Sequence, residues 1–351
     1  MKRIIPAIAI LLFLLWSCEE STSSNDPNSS GSSGWLIPES EVVDGGPGKD
    51  GIPALTNPEL LPVNSISYLE NNDLVIAVKY DNEIRVYPHK ILDWHEIIND
   101  GINQRKFAIT YCPLTGSGIS YNRTINGNTT TFGVSGLLYN TNLIPYDRAT
   151  NSNWSQMKLM SVNGELIGQK VETLPMIETT WKNIKQNYED AKVVSTNTGH
   201  SRNYNRFPYG DYKTNHNFLL FPVSHEDDRL PRKERVLGVL NNGAAKAFTF
   251  SSHQLSLVTS NIAGLDIVIP VTKQDNYIAA FQPVLENGKR VSLSVLENEM
   301  PVIMKDENGN RYDIFGFVVS GPNQGERLDS VTQFIAYWFA WAAFYPETSL
   351  N

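Results

Sequence analysis

Two stretches of this chain repeat each other. "LVIAVKYDNEIRVY", Leu74 to Tyr87, and "RVLGVLNNGAAKAF", Arg235 to Phe248, align without a gap. Val75 and Val78 match Val236 and Val239, and Arg85 and Tyr87 match Lys246 and Phe248. Each stretch reads as a strand, a turn and a second strand, and such self-similarity across a chain constrains the fold before any single residue does. The echo continues with "NGN" at Asn126 to Asn128 opposite "NGK" at Asn287 to Lys289, and "TFGVSG" opposite "IFGFVVSG". Late in each unit an aspartate, Asp147 or Asp329, precedes a tryptophan, Trp154 or Trp338. The reading is of two divergent copies of one unit. Chance recurrence of hairpin composition is the alternative.

The copies differ where chemistry would sit. Opposite "FAITYCPL" the second copy has the apolar "LDIVIPVT", and opposite "DWHEIIND" it has "HQLSLVTSN", which lacks the Trp-His-Glu run. A site is therefore expected in the first copy, with the second as scaffold. Between them "TWKNIKQNYEDAKVVS", Thr180 to Ser195, reads as a short amphipathic helix running into a strand. The segment after Gly199 carries Tyr204, Phe207, Tyr209 and Tyr212 and is too aromatic for a disordered linker. The terminal "FIAYWFAWAAFYPET" is apolar but too short to span a bilayer, so a buried helix is expected.

The fold class that follows is a β-rich α+β body: two related strand-turn-strand units packed together, short helices at Pro88 to Asn99 and Thr180 to Tyr188, and a buried C-terminal helix. An all-β sandwich is the nearest alternative. The expected division is 35–179 for the first unit with the candidate site, 180–233 for the connecting helix and aromatic loop, and 234–351 for the degenerate second unit.

Residues 1–18 have the order of an export signal: Lys2 and Arg3, the apolar run Ile4 to Trp16, then Ser17-Cys18. "LWSC" resembles the lipobox of bacterial lipoproteins, although Trp16 is bulky for its place, which would make Cys18 the lipidated first residue of the mature protein. Residues 19–34, "EESTSSNDPNSSGSSG", lack the apolar side chains that would offset the entropy of ordering them, and read as a flexible tether. The expected location is the bacterial cell envelope, as an exported lipoprotein anchored to its membrane. With 29 basic against 37 acidic residues, a net charge of -8 and no basic block, nothing resembles the footprint of a nucleic-acid binder.

With Cys18 lipidated, Cys112 has no partner for a disulfide. Phe107 to Tyr111 alternates as a strand with Phe107, Ile109 and Tyr111 on one face and Ala108, Thr110 and Cys112 on the other; Pro113 ends it. The thiol is then either a small core hydrophobe or a reactive centre facing the turn Thr115 to Gly118. Upstream, "PHKILDWHEIINDG", Pro88 to Gly101, reads as a helix with Pro at its start and Gly past its end. His95 lies four residues after Ile91 on its inward side and is either a ligand or base, or a satisfied core histidine. The stretch is no zincin motif, because Asn99 stands where the second histidine belongs. "GVSGL" has Leu137 where a nucleophile elbow needs glycine, and His89, His200, His216, His225 and His253 lack metal-ligand spacing.

"KDGIPAL", "RVYPHKILDWHEIIND", "TYCPLTGS", "TFGVSGLLYN", "YDRATNSNWSQ" and "YWFAWAAFYPET" together resemble the bacterial family called domain of unknown function 3179, across Lys49 to Thr348. The resemblance implies a site among the matched positions, which include Trp94, His95, Glu96, Asn99, Asp100, Tyr111, Cys112, Ser135, Tyr139, Asn140, Asp147, Arg148, Trp154 and Gln156. Many members carry a second cysteine two residues after "CPL". Thr115 stands there in this chain, which removes the internal disulfide that dithiol chemistry uses. Two classes of function stay open. One is a thiol-centred or metal-binding activity with Cys112 and His95 in one pocket, supported by Glu96, Tyr111, Asp147 and Arg148, with copper or zinc as the fitting ion. The other is a non-catalytic envelope module that binds a small ligand or a protein partner through that pocket or the aromatic loop.

Overall fold

A computed structural model describes residues Gly34 to Asn351. Cys18, the export signal and the tether up to Ser33 lie outside the described residues. Among the described residues no helix is long and apolar enough to cross a membrane.

Val75 to Val78 are fully buried, as a strand covered on both faces requires. The strand Leu74–Tyr80 pairs antiparallel with Glu83–Pro88 through the turn at Asp81. Ile177–Thr180 flanks the first strand antiparallel and Lys192–Val194 flanks the second in parallel. A parallel neighbour needs a crossover, and helix α2, Trp181–Asn187, lies in it, with the Thr180 hydroxyl accepting from the Asn183 N–H at its start. In the second half, Arg235–Asn241 pairs antiparallel with Ala244–Thr249. Thr332–Tyr337 flanks it antiparallel and Ser349–Leu350 in parallel, with helix α3, Trp338–Phe344, between those two.

The matched hairpins thus occupy the same place in two sheets that agree over four strands, the first sheet adding Leu60–Pro62 at its edge beyond Lys192–Val194. The later echoes do not share places. Trp154 lies on the short strand Asn153–Ser155, and the residue that opens a helix as Trp338 does is Trp181. "TFGVSG" is mostly within strand Phe132–Tyr139, whereas "IFGFVVSG" covers a turn and the short strand Val318–Ser320.

The body is β-rich with three short α-helices among the described residues, and one expected helix is corrected. Helix α1 spans His89–His95 only, and Ile97–Ile102 is a strand. Glu96 takes φ 56°, ψ -33°, which ends the helix, and the β-branched Ile97 and Ile98 pair with Thr110 and Ile109. The apolar pattern fits either period over so short a run, and sheet pairing decides. At the C-terminus the first part of the apolar run is the strand Thr332–Tyr337, and only Trp338–Phe344 is the buried helix.

The strand Arg105–Cys112 lies between Ile97–Ile102 and Ser117–Asn122. Its alternation is as expected: Phe107, Ile109 and Tyr111 join the apolar cluster of Ile91 and Leu92 on α1, while Ala108 and Cys112 face the cluster of Leu143, Val236, Phe334 and Trp341. That second cluster draws on both halves, so the core beneath Cys112 is common to them. Gly116, at φ 58°, makes the turn after Cys112. A Cβ there would sit 2.9 Å from the Tyr337 ring, so only glycine allows this close approach. The equivalent hairpin of the second half is Ser256–Ile262 with Leu265–Thr272, and where the first ends in Cys112 the second ends in Thr272.

Candidate functional site

Cys112 is 1% exposed. Its Sγ lies 3.7 Å from the Thr141 carbonyl and lines a cavity of about 40 Å³ walled by Ile52, Leu114, Val134, Leu138, Leu143 and Phe221. Burial first, and the neighbouring Glu96 second, push the thiol up to about 11. A thiolate is the reactive form of cysteine, and this thiol is neutral at physiological pH.

Glu96 lines the same cavity. The left-handed turn at this residue follows from its two backbone bonds: its N–H closes α1 on the Leu92 carbonyl at 2.8 Å, and its own carbonyl accepts from Tyr111 N at 2.7 Å. For a residue with a side chain that conformation costs about 1–2 kcal/mol. Glu96 is 6% exposed as a residue, and its carboxyl makes no hydrogen bond among the described residues although its oxygens are not among the fully enclosed unpaired atoms. Burial, with the charge of Asp93 adding, pushes it up to about 8. At neutral pH it is an acid that can donate a hydrogen bond.

His95 sits elsewhere. Its Nδ1 lies 2.7 Å from the Pro53 carbonyl and its Nε2 2.7 Å from the Tyr204 hydroxyl. Burial foremost, with His200 and Arg202 adding, holds the imidazole down at about 4. A carbonyl can only accept, so Nδ1 carries the proton, Nε2 accepts from Tyr204, and Tyr204 in turn accepts from Thr198 Oγ1 at 2.6 Å. Both ring nitrogens are engaged, and His95 is not among the residues that line the Cys112 cavity.

Asp147 and Arg148 shape a turn. Asp147 accepts from Thr150 N at 2.8 Å and from Trp154 Nε1 at 3.0 Å. Arg148 pairs with Asp50 at 2.6 Å and donates to the Phe132 carbonyl at 2.9 Å. Tyr111 is buried with its ring centroid 4.5 Å from that of His89.

The aromatic loop roofs this region. Tyr209 and Phe221 line the Cys112 cavity, Tyr204 holds His95, Trp94 Nε1 donates to the Arg206 carbonyl at 3.0 Å, and Lys213 Nζ donates to Asp93 Oδ2 at 2.8 Å. Asn140 and Thr141, both at positive φ, pin the far end: Asn140 Oδ1 accepts from Ser224 N at 2.7 Å and Thr141 Oγ1 donates to the Phe221 carbonyl at 2.7 Å. The pocket and the loop, read from the sequence as alternative binding places, are one place.

Sequence reasoning missed a buried cluster beside it. His89 and Asp93, one helical turn apart on α1, meet Glu178 from strand Ile177–Thr180 and Arg235 from the second half, whose guanidinium bonds Glu178. Arg235 and His89 keep Glu178 below the ordinary carboxylate range despite its burial, whereas burial raises Asp93 even against Lys213. The i, i+4 spacing of His89 and Asp93 was a signal in the sequence. Their partners lie too far along the chain to be paired by eye.

Among the described residues no group of three or more His, Cys, Asp or Glu side chains is placed to hold a metal ion. The two ring nitrogens of His95 are engaged by Pro53 and Tyr204 and His95 does not line the cavity of Cys112, so the structure does not bring the two residues into one pocket.

These features define a β-sheet scaffold with a small, mainly apolar cavity that Cys112 and Glu96 line beside an aromatic loop. The chain belongs to the family described as protein of unknown function, DUF3179, whose sequence profile matches residues 49–348. No curated protein and no solved structure matches it.

Proposed function

We propose that this is an exported lipoprotein of the bacterial cell envelope, anchored through Cys18, whose body is a non-catalytic module that receives a small, mainly apolar ligand in the Cys112–Glu96 cavity. The observation that carries the binding is Glu96: a carboxyl with no hydrogen-bond partner among the described residues, set in an apolar cavity. A ligand oxygen that accepts from the protonated Glu96 would add a hydrogen bond while its apolar part covers Leu114, Val134 and Leu143. The free volume, about 40 Å³, exceeds the roughly 10–15 Å³ that one water needs. Thiol chemistry is the weaker reading because Cys112 is buried and its thiol is pushed up to about 11.

Thermal-shift measurements with short-chain amides, ethers and alcohols test this. Binders should stabilise the wild type and lose the effect in Glu96→Leu. A wild type that none of them stabilises, and whose thiol reacts as fast as free cysteine, would favour thiol chemistry instead.

A further inference from the structure

Thr173 from the first half and Arg327, Ser330 and Thr332 from the second line a cavity of about 120 Å³ with a mainly polar surface. Its walls are held by the sheets. Leu174 N donates to the Ser120 carbonyl at 2.8 Å, and the Pro175 carbonyl accepts from the Tyr80 hydroxyl at 2.9 Å. Gln333, also in the lining, is spent on Ala280, donating to its carbonyl at 2.7 Å and accepting from its N–H at 2.6 Å. The volume is well above the roughly 10–15 Å³ that one water needs, so a polar group of a few heavy atoms has room there.

Arg327 is the charged residue of this cavity, and little of its hydrogen-bonding capacity is used. Its Nε donates to the Phe315 carbonyl at 3.1 Å, and its guanidinium lies over the Phe317 ring at 5.1 Å. Its two Nη groups make no hydrogen bond or ion pair among the described residues, and neither is fully enclosed. The acids whose charge reaches Arg327 do not pair with it: Asp313 is bonded to Lys79 at 2.7 Å and Glu286 is exposed, while Arg105 adds a second positive charge. The hydroxyls of Thr173, Ser330 and Thr332 also make no hydrogen bond among the described residues. A planar guanidinium with two donors to offer, beside free hydroxyls, matches the oxygens of a carboxylate or phosphate.

The neighbouring surface points to the same chemistry. Thr173 and Thr332 also line a broader groove of about 500 Å³ that carries Lys158 and Lys170, both exposed and without an ion pair among the described residues. Glu172, the acid of that groove, accepts from Asn122 Nδ2 at 2.7 Å. In a chain of net charge -8, three cations left unpaired along two adjoining openings draw an anion towards this place.

We infer that Arg327, with Thr173, Ser330 and Thr332, forms a binding site for a small oxyanion, a carboxylate or phosphate group, that approaches past Lys158 and Lys170. The site does not rest on the reading of the Cys112 cavity, whose proposed ligand is mainly apolar.

Nitrogen–proton correlation NMR of the mature protein, titrated with acetate and with inorganic phosphate against sodium chloride at equal ionic strength, tests the site. One or both anions should shift the Arg327 Nε–H and the backbone amides around Thr173 and Ser330 to saturation, and chloride should not. Saturation by acetate alone makes the ligand group a carboxylate, and by phosphate alone a phosphate. Arg327→Lys keeps the charge but loses the fork and should weaken binding tenfold or more. Ser330→Ala combined with Thr332→Val removes two hydroxyls that hold no hydrogen bond, so it should leave circular dichroism unchanged and weaken binding threefold or more; if Arg327→Lys does not fold, this variant decides. No saturable shift with either anion, shifts that chloride reproduces, or an affinity unchanged in the variants overturns the proposal.

Discussion

Glu96 and Cys112 line one cavity, while His95, the neighbour of Glu96 in sequence, is bonded on both nitrogens to Pro53 and Tyr204. One peptide unit separates a residue of the cavity from a residue of the packing around it. The left-handed backbone at Glu96 makes that separation.

The thiol should resist modification. With Cys112 pushed up to about 11, its thiolate fraction at pH 8 is roughly a hundredfold or more below that of a free cysteine near 8.5. Iodoacetamide labelling followed by mass spectrometry should show slow reaction in the folded protein and prompt reaction in denaturant. Labelling at the free-cysteine rate without denaturant would show that Cys112 is open and activated.

Stability should fall as pH rises from about 6.5 to 8. Glu96 has a folded value raised to about 8 above an unfolded value of about 4.3, so between the two the folded state holds the extra proton and loses stability as pH climbs. His95, lowered to about 4, acts oppositely: its neutral form is favoured in the fold, and stability is lost as pH falls from about 6.5 towards 4. The two slopes offset each other below about 6.5, and above it Glu96 acts alone, for roughly 2 kcal/mol by pH 8. Urea titrations at stepped pH should show this loss in the wild type and its absence in Glu96→Gln.

Tyr204→Phe should loosen the roof. It removes the donor to His95 Nε2, leaving a buried acceptor unmet at a cost of about 1–3 kcal/mol. Limited proteolysis should then cut between Gly199 and Phe221 sooner than in the wild type, with the rest of the body intact. Equal cutting rates would mean that Tyr204 does not fasten the loop.

Cys18→Ala should move the protein from the membrane fraction to the soluble one, read by fractionation and immunoblot. A variant that sediments with membranes as the wild type does removes the lipid anchor from the proposal.

The strand Arg105–Cys112 was legible because alternation of Phe107, Ile109 and Tyr111 against Ala108 and Cys112 needs no distant information, and the start of α2 because Thr180 is a recognisable cap. The end of α1 was not. Ile97 and Ile98 suit a helix stripe as well as a strand, and only pairing with Ile109 and Thr110 selects the strand. The site was half legible: Cys112 and Glu96 stand in adjacent motifs, but His89 acquires meaning from Glu178 and Arg235, contacts that local spacing cannot express. Asp147 and Arg148 looked chemical because they are charged, yet their partners are a turn and Asp50.

The roof is held by Tyr204 on His95, Lys213 on Asp93 and Ser224 on Asn140. These contacts set how firmly the loop lies along one wall of the cavity, so under the proposed binding a change that loosens any of them should speed both the uptake and the release of a ligand, in step with its effect on the loop and with no change in the cavity's own lining.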